Sequence, residues 1–86
     1  MMIKYSRDAI KFLCKLDSKS VNRIREAVEG LIRNPPKGDI KPMRGFPDGM
    51  LRLRIGSFRV IYRFESNQDN EALIIIDIGN RGDIYK

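Results

Sequence analysis

Four arginines alternate with apolar residues in one short stretch: Arg52 and Arg54, then Arg59 and Arg63. Arg81 and Tyr85 follow further along the chain. A guanidinium group grips two phosphate oxygens at once and keeps its proton at any physiological pH. Arg52, Arg54, Arg59 and Arg81 on one sheet face would hold a phosphodiester and stabilise the doubly charged, pentacoordinate transition state of its cleavage. Tyr85 would stack on a base or hydrogen-bond a ribose hydroxyl. Lys41, Arg44 and Arg63 extend the same cationic segment and are further candidates for phosphate contact. RNA carries its own nucleophile, the 2′-hydroxyl, so such a site needs neither histidine nor metal. The same alternation also describes a plain solvated strand face, and Tyr85 also reads as a packing residue. Gly79 and Gly82 read as turn residues, because no helix follows whose amides would converge on a phosphate.

What the composition lacks narrows the chemistry. The chain has no histidine and one cysteine, Cys14. Zinc sites built from histidine and cysteine, and serine–histidine triads, are excluded. No acidic cluster is spaced to hold Mg²⁺, so the expectation is a reaction without metal or cofactor. A single cysteine forms no internal disulfide, which points to a reducing, cytoplasmic compartment. The longest apolar run, residues 72–76, has the length of a strand, so neither a membrane span nor a secretory signal is expected. The 86 residues give room for a single domain over 1–86. The net charge of +6 is uneven. Residues 37–63 hold seven basic and two acidic side chains, and residues 64–86 hold two and five. A cationic middle suits a polyanionic partner, either nucleic acid or an acidic protein.

These side chains need elements to hold them. Residues 2–6 read as a first strand, with Ile3 and Tyr5 on one face. Ala9, Ile10, Leu13 and Leu16 fall at helical spacing, which predicts a helix over 6–16. Asp17 or Ser18 then opens a second helix carrying Val21, Ile24, Val28, Leu31 and Ile32, and Asn34-Pro35-Pro36 stops it. A loop or edge strand follows at 40–44. Beyond it the period changes from helical to alternating. Gly56-Ser57 between two alternating runs predicts a hairpin with a two-residue turn, glycine supplying the positive φ. That turn sets Ile55 opposite Phe58, Leu53 opposite Val60 and Leu51 opposite Tyr62, all on the core face. It also sets Arg54 opposite Arg59, an unfavourable pairing that an anion between them would relieve. Residues 72–78 form a central strand, apolar at both parities. With its even positions facing the core, Asp77 lies on the arginine face, where it could orient Arg59.

The motifs then carry a resemblance. The stretch Arg44-Gly45-Phe46-Pro47-Asp48, followed by Arg52-Leu53-Arg54-Ile55-Gly56-Ser57-Phe58-Arg59-Val60-Ile61-Tyr62, resembles the signature of the RelE/ParE superfamily of bacterial type II toxin–antitoxin toxins. Ile78-Gly79-Asn80-Arg81-Gly82-Asp83-Ile84-Tyr85 is similar to the end of its RelE-type members. The resemblance implies an α+β fold, with an N-terminal strand and a helical hairpin packed on a twisted, mainly antiparallel sheet of four or five strands. It implies a ribosome-dependent mRNA interferase that cleaves in the A site, neutralised by a cognate antitoxin in a hetero-oligomeric complex. The partners it implies are that antitoxin, the ribosome and mRNA, with no membrane. Carried over by position, Arg59 stabilises the transition-state phosphate, Arg81 serves the leaving group, Tyr85 organises the substrate, and Arg54 contacts RNA. Where the family's prototype has lysines, this chain has Met50 and Arg52. Arginine stays protonated, so Arg52 supplies charge and not a general base. In such toxins a largely disordered antitoxin segment wraps the domain, and Leu73 and Ile75 are expected as exposed apolar contacts on the charged face. The alternatives are a ParE-like inhibitor of DNA gyrase and a non-catalytic module that binds RNA or the ribosome.

Overall fold

The computed structural model describes residues 1–46 and 49–80. The order of elements is β1 (Met2–Tyr5), α1 (Arg7–Cys14), α2 (Ser18–Gly30), β2 (Asp39–Pro42), β3 (Leu51–Ile55), β4 (Phe58–Ser66) and β5 (Glu71–Asn80). One five-stranded sheet runs β1-β5-β4-β3-β2. β1 lies parallel to β5, and the other three pairings are antiparallel. The fold is α+β, as the sequence implies. No helix of the described residues is long and apolar enough to cross a membrane.

The two helices cover one face of the sheet. Their buried residues Ala9, Ile24 and Val28, with Leu31 just past α2, pack on Leu53, Ile55, Phe58, Val60, Tyr62, Leu73, Ile75 and Ile78. This burial removes apolar surface from water and is the main term holding helices to sheet. Phe12 meets Phe58 edge to face, with ring centroids 6.1 Å apart. Helix α1 is shorter than the periodicity indicates, because Ser6 stands outside it as its N-cap. Ser6 Oγ accepts from the Ala9 amide at 3.0 Å and satisfies a donor that the first helical turn leaves open. The same hydroxyl donates to the Ile76 carbonyl at 2.6 Å. One short side chain thus ties the start of α1 to β5, an interior strand of the sheet.

That carbonyl marks where β5 departs from regular alternation. Ile61 pairs with Asp77 and Tyr62 with Ile75, so Ile76 is an extra residue, a β-bulge. Regular alternation would turn the even positions of β5 to the core throughout. The bulge reverses the parity halfway: Ile78 faces the helices, and so do Leu73 and Ile75. Leu73 and Ile75 are 0 % exposed, so they are core residues and not apolar contacts on the charged face. Asp77 still lies on the arginine side, where its register partner is Ile61. Its Oδ1 accepts from the Ile78 amide at 3.0 Å.

Two glycines have positive φ where the fold needs it. Gly56 makes the β3–β4 turn at φ +58°. Gly38, at φ +129°, leads into β2, and a Cβ there would come within 2.5 Å of Leu53 Cδ1. Gly38→Ala combines backbone strain with overpacking against a core leucine. Urea unfolding should show a loss of about 1–3 kcal/mol, the size typical of such overpacking. Wild-type stability in that variant would remove the close approach as a constraint.

Burial also sets a pH limit. Desolvation in the core pushes the Tyr62 phenol from 10.0 up to about 12. In the unfolded chain this phenol ionises near its ordinary value, while in the fold it stays neutral until about pH 12. The unfolded state therefore binds fewer protons between those limits, and stability falls as pH rises through the window. Below the unfolded value this contribution is fully present. Ultraviolet titration should show one phenol ionising near pH 12, and Tyr62→Phe should remove that step and flatten the loss of stability between pH 10 and 12.

Candidate functional site

The hairpin register puts Arg54 directly opposite Arg59, as the Gly56-Ser57 turn predicts. Both belong to the sheet face turned away from the helices, because their neighbours Leu53, Ile55, Phe58 and Val60 are in the core. Arg52 lies two residues before Arg54 on the same face, opposite Ile61 on β4 and Lys41 on β2. Arg52, Arg54, Arg59 and Lys41 are thus brought together on three adjacent strands. Strands stand about 4.8 Å apart, so neighbouring guanidinium groups can reach one phosphate together.

The other expected residues fall elsewhere. Arg63 also points away from the helices, but four residues along β4 from Arg59, roughly 13 Å at the strand rise. It pairs instead with Glu65 at 3.0 Å. Arg44 is exposed in the turn after β2. Arg81 and Tyr85 lie outside the described residues.

Periodicity does not single out Asp39, the first residue of β2. It stands opposite Arg54 on the side away from Arg59. Arg54 Nε donates to Asp39 Oδ2 at 2.7 Å, a short charge-assisted bond. The other oxygen, Oδ1, stands 3.7 Å from Nη2 of Arg52. The row across the sheet therefore reads Asp39, Arg54, Arg59. The anion that the opposed arginines call for is in part built in, on the edge strand. Parity was the available signal: with Ile40 turned inward, Asp39 and Lys41 must turn outward together.

Burial differs across the cluster. Arg52 is 7 % exposed and is the one buried charged residue among those described. Ile61, its neighbour across the hairpin, is also buried. The Arg59 Nε is shielded from water as well, while the Arg54 side chain is largely open to solvent. Shielding raises the local strength of a charge, since fewer waters screen it. The face thus offers a solvent-accessible guanidinium, Arg54, backed by less hydrated ones. That arrangement suits binding an oxyanion and favours a state in which its charge grows. Below it on the same face, near the start of β5, lies a hollow of about 690 Å³ lined by Met2, Lys4, Glu65, Asp69, Glu71 and Ile74, among others. Its charged lining, three carboxylates against one lysine, is unsuited to phosphate.

Comparisons with known proteins bear on what these features belong to. Among solved structures, the chain resembles a YoeB/ParE toxin from Agrobacterium tumefaciens, with a TM-score of 0.77, 20% identity, and coverage of 94% of this chain and 99% of that one. It resembles the archaeal RelE-RelB complex from Pyrococcus horikoshii at a TM-score of 0.73 and 27% identity, covering 95% of this chain and 96% of that one. It resembles the RelB-RelE antitoxin-toxin complex from Methanococcus jannaschii at a TM-score of 0.69 and 22% identity, covering 95% and 94%. No curated protein matches the chain. A family model described as the ParE toxin of the type II toxin-antitoxin system parDE matches residues 3–85. With nearly every residue inside that match, the chain belongs to the ParE toxin family of type II toxin–antitoxin systems, within the RelE/ParE superfamily.

Proposed function

We propose that this toxin acts as a metal-independent endoribonuclease on mRNA in the ribosomal A site and is neutralised by a cognate antitoxin. The observation that carries the reading is the opposition of Arg54 and Arg59 beside the buried Arg52. A fold gains nothing in stability from juxtaposed like charges. A site for a phosphodiester gains two or three donors aimed at one group. In the proposed reaction the ribose 2′-oxygen attacks the adjacent phosphorus and the bond to the 5′-oxygen breaks. The products are a 2′,3′-cyclic phosphate and a 5′-hydroxyl. Arg59 and Arg54 bind the non-bridging oxygens as their charge increases, and Arg52 adds positive potential from behind. Arg81 serves the leaving oxygen and Tyr85 orders the nucleotide, roles that come from the resemblance alone.

Arginine does not accept the 2′-hydroxyl proton. The contribution of this face is therefore electrostatic, and the proton passes to water or to a group on the ribosome. Truncation of one such donor typically slows catalysis by about 10²–10³-fold. Primer extension on mRNA in a purified translation system, with wild type and Arg59→Ala side by side, tests the reading. Cleavage that requires ribosomes and falls by about two orders of magnitude in the variant is the expected result. Intact mRNA with folded wild-type protein would sink it.

A second reading has its own support. The family model that matches is named for ParE, and ParE-type members of the superfamily poison DNA gyrase without cutting RNA. On that reading the arginine face binds a protein or DNA, mRNA stays whole, and gyrase accumulates on cleaved DNA when the toxin is added to a supercoiling assay.

Phosphate binding can be measured separately from the chemistry. For single-stranded RNA, removing one cation that neutralises a phosphate should lower the slope of log affinity against log salt by about 0.7. Arg54→Ala and Arg59→Ala should each show this change. Arg63→Ala should change the slope less, because that side chain lies roughly 13 Å along β4 from Arg59. Equal slopes for all three variants would mean that binding tracks overall charge and not this face.

A further inference from the structure

We propose that Asp39 is a positioning residue, whose carboxylate on the edge strand fixes the Arg54 guanidinium beside Arg59 so that the two receive one phosphate. This rests on the phosphate-binding reading above and adds to it the group that sets the geometry.

Alone, Arg54 would be a long, solvent-accessible side chain with a like charge directly across the hairpin. Repulsion and rotamer entropy would both favour swinging away from Arg59. Asp39, on the far side of the same row, offsets part of that repulsion by its negative charge and removes the rotamer freedom by its bond. It takes the Nε–H of Arg54 at 2.7 Å. That bond occupies one donor of five on the guanidinium, and the Nη groups retain the rest. Oδ1 is turned towards Nη2 of Arg52 at 3.7 Å. One carboxylate thus holds Arg54 and faces Arg52, and with Lys41 and Arg59 included the cluster keeps an excess of positive charge.

Stability gives little reason for this pair. Both partners are more than a third exposed, and exposed ion pairs contribute about 0–1 kcal/mol. The backbone leading to Asp39 is nonetheless tightly constrained. Gly38 precedes it at positive φ, with room only for a hydrogen against Leu53. A constrained approach that delivers a carboxylate to a guanidinium fits a role in orientation. Fixing a donor in its bound geometry lowers the entropy lost when the ligand arrives.

A competing role predicts the opposite sign. If Asp39 merely masks Arg54, its removal uncovers a cation and tightens binding of any polyanion. If it positions Arg54, its removal weakens binding although the face becomes more positive. The test uses the full chain as wild type, Asp39→Asn, Asp39→Glu and Arg54→Lys. The probes are a short single-stranded RNA and inorganic phosphate, with the Arg54 Nε–Hε resonance read by NMR.

In the wild type that resonance should be shifted downfield and exchange slowly. Asp39→Asn should lose the signature and bind RNA about five- to tenfold more weakly, a change of the size expected when a preorganised donor is released. Asp39→Glu should recover both in part. Arg54→Lys keeps the charge, removes the Nε donor, and should match Asp39→Asn; it serves as the test if Asp39→Asn does not fold. Equal or tighter binding by Asp39→Asn, or an Nε signal unchanged in it, overturns the proposal. Failure of folded wild type to bind either RNA or phosphate is a separate result: it removes the phosphate-binding reading, and the function proposed for Asp39 falls with it.

Discussion

The structure depends on one constraint: the Gly56-Ser57 turn allows a single register that buries the apolar residues of β3 and β4. Leu53, Ile55, Phe58 and Val60 must all face the helices, because a slip of one residue would turn every one of them to the other side. With those four fixed, Arg54 and Arg59 have no choice but to oppose each other. The cost of that opposition is small beside the burial it accompanies. Cross-strand pairs change stability by about 0.2–1 kcal/mol, while each buried large apolar side chain contributes about 1.5–3 kcal/mol. A concentrated cationic site can thus be carried on a sheet whose other face supplies the stability.

The same division of labour explains what can be read from the sequence. Where one local feature sets geometry, residue pattern suffices. The two-residue turn gives every β3–β4 pair. Where geometry depends on distant partners, pattern falls short. The parity of β5 reverses at Ile76, and the cause includes a hydroxyl seventy positions earlier, Ser6, that bonds the Ile76 carbonyl. Nothing in an apolar run at both parities marks the site of a bulge. Alternation alone therefore puts Leu73 and Ile75 on the wrong face. Asp39 escapes for a related reason. The connection from β2 to β3 is long enough to permit several registers, so its position opposite Arg54 emerges only when the sheet is assembled.

Arg52 shows where local and global demands conflict. An ionised side chain this buried loses much of its hydration, and a partner at 3.7 Å is a weak return. An apolar residue of similar size would fill the same space beside Ile61 without that loss. Retaining arginine there is hard to explain by packing. It is easy to explain as a source of potential, since a poorly hydrated charge acts further and more strongly on whatever lies above it. Departures of this kind are expected at functional sites.

The superfamily places toxins of two kinds on one fold, so the fold does not choose between them. A surface that only grips a protein partner needs apolar anchors surrounded by polar groups. The region around Arg54 and Arg59 has few: its apolar neighbour Ile61 is buried, and what reaches the surface is guanidinium, ammonium and one carboxylate. Such a face is poor at excluding water from a protein contact and well suited to oxyanions. In the proposed reaction the arginines do not take the 2′-hydroxyl proton, but they lower the energy of the charged state that follows. Catalysis then rests on holding the phosphate in a fixed field and on a substrate presented in a reactive conformation. A bare strand of RNA does not meet the second condition by itself. A ribosome that grips the message in the A site would, which is the physical reason the proposed cleavage would depend on it.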